Sequence, residues 1–114
     1  MKEHEEILRR LSIQDGALVD SVMSDDDAGL AASRLDARTY AFVRLGALVA
    51  MDAAPPSYMD AIESARDHGA CDEEIVGALI AAIPAVGVSR VVSAAPKLAL
   101  ALGYDVAGAL EERG

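Results

Sequence analysis

The stretch HGACDEEI, residues 68–75, holds the chain's only cysteine, Cys71, and one of its two histidines, His68. A thiol beside an imidazole is a pairing for nucleophilic chemistry, in which the ring takes the proton and the thiolate attacks. A cysteine at a helix start also gains acidity from the positive end of the helix. The carboxylates of Asp72, Glu73 and Glu74 oppose this, because they disfavour a further negative charge nearby. The same residues also carry a structural reading. Gly69 suits the left-handed residue that ends one helix. Cys71 then falls at the N-cap of the next, with Glu74 three residues on, which is capping-box spacing. On that reading every residue of the stretch except His68 has a structural role, and the segment is first of all a joint between helices.

Three other features are chemically suggestive. The acid run Asp25–Asp27 reads as a solvated surface rather than a metal site, since adjacent carboxylates diverge and lack the alternating spacing of a calcium loop. Arg44 stands inside the apolar segment FVRLGAL. There it is either a snorkelling or subunit-bridging side chain or an anchor for a substrate carboxylate. Tyr58, near a helix start, is either a packing residue or a pocket hydroxyl.

The elements that must position these residues are all helical. Residues 2–13 form an amphipathic helix with acids ahead of bases. Residues 15–23 form a short helix after a break at Gly16, and residues 24–36 read as a polar loop or ragged turn. Asp36 caps a long helix through Met51, with Phe42, Leu45, Leu48 and Val49 on its apolar stripe. Pro55 and Pro56 open another, because proline is tolerated in a first turn, and it runs to about His68. Further helices run from about Asp72 to Gly87 and from about Ser89 to Gly103. Tyr104–Arg113 reads as a short amphipathic helix or frayed tail. No strand alternation or internal repeat is visible, so the expectation is an all-α bundle of about six helices.

The chain has 114 residues, the size of one domain. Hydrophobic residues make up 53%, with three Tyr, one Phe and no Trp, so Ala, Leu, Val and Ile dominate the core. The net charge of −9 repels a phosphate backbone and an anionic membrane surface. One cysteine cannot form an intrachain disulfide, which fits a reducing cytoplasm. The charged N-terminus lacks the apolar core of a signal peptide. The longest uncharged apolar run, residues 75–89, is shorter than the ~18–20 residues of a membrane span. The chain is therefore expected to be soluble, acidic and cytoplasmic, with neither nucleic acid nor membrane as partner. Residues 75–86 and 91–102 are apolar nearly all round. One small subunit cannot bury two such helices, which predicts a homo-oligomer. Each carries an interior proline, Pro84 and Pro96, freeing the carbonyls of Ile80 and Val92.

Taken in order, LDART, a long apolar helix, GACDEEI and an apolar helix with AVGVSR resemble the carboxymuconolactone decarboxylase family of the alkylhydroperoxidase-D-like superfamily. The resemblance covers about residues 35–95. It implies one domain over 1–114, with a core of 35–103, N-terminal helices and loop in 1–34, and assembly into trimers or hexamers. The redox members of that family carry a Glu, then Cys-x-x-Cys, then His. Counted forward from LDART, those positions hold Ala41, Ala53, Pro56 and Asp60. Counted back from GACDEEI, the last three become Ala54, Ser57 and Ala61. Both counts lack the two thiols of a dithiol cycle, so peroxidase activity is not expected. Decarboxylase members typically keep the His. Here Asp60 would replace it as acid/base, beside a candidate pocket of Arg44, Tyr58, Ser57 and Ala41. No metal or cofactor is implied. Two functions stay open: an oligomeric helical protein that has lost the redox site and binds a small molecule or a protein, or a cofactor-independent decarboxylase or lactone-processing enzyme using Asp60 and Arg44.

Overall fold

A computed structural model describes residues 2–104, and the expected C-terminal helix at Tyr104–Arg113 lies almost wholly outside them. The described residues form seven α-helices and no strand. They run α1 Glu3–Ser12, α2 Gly16–Ser24, α3 Asp26–Ser33, α4 Ala37–Met51, α5 Pro55–Asp67, α6 Asp72–Val86 and α7 Val88–Leu102. No helix among them is long and apolar enough to cross a membrane. The chain divides into two compact units, residues 1–36 and residues 37–114.

In the first unit, α3 corrects the expected loop and raises the helix count from about six to seven. The reason is local. The Asp25 carboxylate accepts the Asp27 N–H at 3.0 Å, and Asp26 and Asp27 place negative charge at the positive end of the first turn. The acid run is thus a cap and first turn, and all three side chains are exposed. The helix ends at Arg34, held left-handed at φ 60°, whose guanidinium pairs with Glu3 of α1. Asp15 caps α2 by accepting the Leu18 N–H at 3.1 Å. Gly29 is the one buried residue of these three helices. Leu8, Leu11, Ile13 and Met23 are exposed.

The second unit holds the core: Ala41, Leu45 and Val49 from α4, Tyr58, Ala61, Ile62 and Ala65 from α5, Ile75 and Leu79 from α6, and Ala94 and Leu98 from α7, with Ala70 from the α5–α6 joint. The 3.6-residue period of α4 produces the spacing 41, 45, 49, one residue per turn on the inward face. Prolines 55 and 56 occupy the first turn of α5, where their missing N–H groups have no helical partner to lose. Pro84 and Pro96 stand inside α6 and α7, as the sequence predicts.

Helices α4 and α6 lie side by side with the same polarity. Arg38, in the first turn of α4, forms an ion pair with Glu74, in the first turn of α6. At the other end Asp52, which follows α4, faces Arg90 just beyond α6, at 3.8 Å. Between the two helices runs an open groove of about 610 Å³, lined by Phe42, Val43, Gly46, Gly77, Ala78 and Ala81 among others. Gly46 and Gly77 are interior to their helices, and a Cβ at either would meet no atom within 4 Å. Each glycine costs its helix about 1 kcal/mol relative to alanine, and nothing among the described residues requires it.

Candidate functional site

The joint at residues 68–75 is a complete helix stop followed by a helix start. Gly69 adopts φ 88°, a left-handed conformation that glycine enters without steric penalty. Its N–H donates to Arg66 O and the Ala70 N–H donates to Ala65 O, both at 3.0 Å, the two bonds of a Schellman motif. Buried Ala65 and Ala70 supply the accompanying apolar contact. Cys71 is the exposed N-cap of α6. The Glu74 carboxylate accepts the Cys71 N–H at 3.1 Å, which makes the firm half of a capping box. The thiol supplies the other half, and sulfur is a weak acceptor. His68 Nδ1 lies 2.7 Å from the Ser64 carbonyl oxygen. A carbonyl can only accept, so Nδ1 carries the proton and the ring is committed to its own helix. Arg66 reaches Asp72 through two hydrogen bonds of 3.1 Å and also donates to Leu102 O at 3.2 Å, tying the joint to the end of α7.

The residues suggested by the family resemblance fall in different environments. Ala41 and Tyr58 are core residues of one cluster. Ser57 and Asp60 are exposed on α5. Arg44 is half-buried on α4, with its guanidinium carbon 5.7 Å from the centre of the Tyr40 ring one turn away, within cation–π range. The α4–α6 groove is lined by none of these five residues.

Tyr58 has 0% of its surface exposed, and its hydroxyl has no hydrogen-bond partner among the described residues. Burial, reinforced by the negative charge of Asp52, pushes the phenol above its usual range. Asp52 itself adopts φ 53°, a left-handed conformation that aspartate tolerates better than most residues. Its Oδ1 accepts from Ser93 Oγ at 2.7 Å and from Lys97 Nζ at 3.1 Å, and Lys97 also donates to Ala53 O at 3.0 Å. These donors, the Ser93 hydroxyl first and the Lys97 ammonium second, hold the Asp52 carboxyl below the usual carboxylate range. The cluster fixes the turn between α4 and α5 against α7. Ser93 spends its proton on a carboxylate and Lys97 is held by two oxygens, so neither is arranged as a nucleophile. Sequence reading passed over this cluster. Its one signal was the run of polar side chains Arg90, Ser93 and Lys97 at helical spacing on one face of a mostly apolar helix.

Among the described residues no group of three His, Cys, Asp or Glu side chains is arranged to hold a metal ion. No protein-family profile, characterised protein or solved structure matches the chain.

Proposed function

We propose that this chain is a homo-oligomeric helical binding protein of the carboxymuconolactone decarboxylase type, lacking the redox site and taking a small molecule or a partner protein. The observation that carries the reading is Tyr58. On α5, between the positions the resemblance assigns to the second thiol and the histidine, the chain packs a wholly buried phenol into the core cluster that also holds Ala41. The paired thiols are missing from the sequence, and Asp60 is exposed rather than set in an apolar pocket. The decarboxylase alternative needs Asp60 and Arg44 to converge. One is solvent-facing on α5 and the other lies over Tyr40 on α4.

Oligomerisation is supported by what the second unit leaves uncovered. Val76, Ile80 and Ile83 of α6, Val88, Val92 and Leu100 of α7 and Val43 of α4 are all at least one-third exposed. Apolar exposure on this scale marks an interaction surface. The acidic charge and the single cysteine also fit a protein of the reducing cytoplasm that binds neither nucleic acid nor membrane. Two measurements test the reading. Light scattering at micromolar concentration should give a trimer or hexamer, and a monodisperse 11.9 kDa species would overturn the oligomer. Peroxide consumption with a thiol reductant should match the buffer rate. Turnover that disappears in Cys71→Ser would overturn the loss of redox chemistry.

A further inference from the structure

The exposed face of α6 has three properties that nothing among the described residues explains. It is apolar from Val76 to Pro84, with Ile80 the most exposed of its large side chains at 66%. It borders the α4–α6 groove, to which α4 and α6 each contribute an interior glycine, Gly46 and Gly77, although a Cβ on either would be free of contact. Glycine weakens a helix, so its presence on an open face is accounted for by a close approach from outside the chain. Lastly, the two ends of the face differ in charge. At the N-terminal end Glu74 is paired with Arg38 and Asp72 with Arg66, which leaves exposed Glu73 as the surplus negative charge. At the far end Arg90 and Lys97 surround the single carboxylate of Asp52, a surplus of positive charge.

We infer that this face is covered by the same face of a second copy, with the two α6 helices antiparallel across a two-fold axis at Ile80. The inference rests on the oligomeric reading above and specifies its interface. A two-fold contact must be self-complementary, each patch meeting its own copy. An antiparallel pair meets this condition, because it sets the acidic end of one copy against the basic end of the other and opposes the helix dipoles favourably. Ile80 stands one residue past the middle of the fifteen-residue helix and on its exposed face. Centring the axis there puts Val76 against Pro84, Gly77 against Ile83 and Glu73 against Gly87, three residues before Arg90. Gly77 then admits the partner's Ile83, which explains the missing side chain. A parallel pair would instead stack Glu73 on Glu73. The antiparallel arrangement supplies the two-fold of a hexamer.

The test uses the full chain with Cys71→Ser and Ile80→Cys. Across the proposed axis the two introduced thiols are nearest neighbours, so mild oxidation should convert most of the protein to a covalent dimer, reversible by reductant. An oligomer by light scattering that forms no such cross-link would overturn this interface while leaving the oligomeric reading intact. A monomer would overturn both. Ile80→Glu, at a position open to solvent in the single subunit, should keep its helical circular dichroism and raise the dissociation constant of the two-fold contact at least a hundredfold. Glu73→Arg and Arg90→Glu should each weaken association about tenfold, and the double variant should recover it. Unchanged association in Ile80→Glu, or a double variant no better than either single, would overturn the proposal.

Discussion

The Ser93 hydroxyl donates to Asp52 Oδ1 across 2.7 Å, joining the residue that follows α4 to the second turn of α7, 41 positions later in the chain. Lys97, one turn further, donates to the same oxygen. Together they latch the α4–α5 turn onto α7. This latch sets the first expected behaviour. The Asp52 carboxyl is held below its unfolded value, so its contribution to stability is present above about pH 4, the ordinary aspartate range, and is lost as pH falls through the lower folded value. Asp52→Asn should have a lower denaturation midpoint at pH 7, and the gap to the parent should close on acidification. Parallel pH profiles for the two proteins would rule the latch out.

Tyr58→Phe removes a buried hydroxyl that has no partner and leaves the ring in place. The variant should be more stable by about 1 kcal/mol, the penalty of an unsatisfied buried polar group being about 1–3 kcal/mol. Urea denaturation checks this. A clear loss of stability would mean that the hydroxyl has a partner in solution.

The same phenol sets the alkaline limit. Its folded pKa lies above the unfolded value of about 10, so its contribution is fully present below that pH and is lost as pH rises toward the folded value. Thermal melts between pH 8 and 11 should show the parent losing stability faster than Tyr58→Phe. Identical slopes would contradict it.

Cys71→Ser or Cys71→Thr should stabilise the subunit by about 0.5–1 kcal/mol, because a hydroxyl caps a helix better than a thiol. Glu74→Ala should destabilise it by a similar amount, since it removes the bond to the Cys71 N–H and the Arg38 pair. Denaturation midpoints decide both. A Cys71→Ser protein weaker than the parent would show that the thiol contributes more than a cap.

Local signals made α4 to α7 legible in the sequence. Pro55 and Pro56 marked a helix start, Gly69 a stop, Cys71 and Glu74 a second start, and the apolar period of α4 its buried face. The acid run at residues 25–27 hid α3, because a block of like charge suggests solvated loop while the same aspartates serve as cap and first turn. The candidate residues could be placed on helices but not in depth. Asp60 and Tyr58 are two positions apart on α5, one exposed and one wholly buried, and that difference depends on how α5 packs against α4 and α7. Asp52 was invisible for the same reason, its partners being brought in from α7.

The chain's single thiol is also a spectroscopic address. Cys71 is exposed at the start of α6, so each subunit accepts one nitroxide at a known place without further engineering. In an antiparallel α6 pair centred on Ile80 the two labelled positions lie at opposite ends, offset along the helix axis by about 27 Å at 1.5 Å per residue. A parallel pairing would bring them nearly into contact. Dipolar spectroscopy on the labelled native protein therefore reads the polarity of the assembly directly.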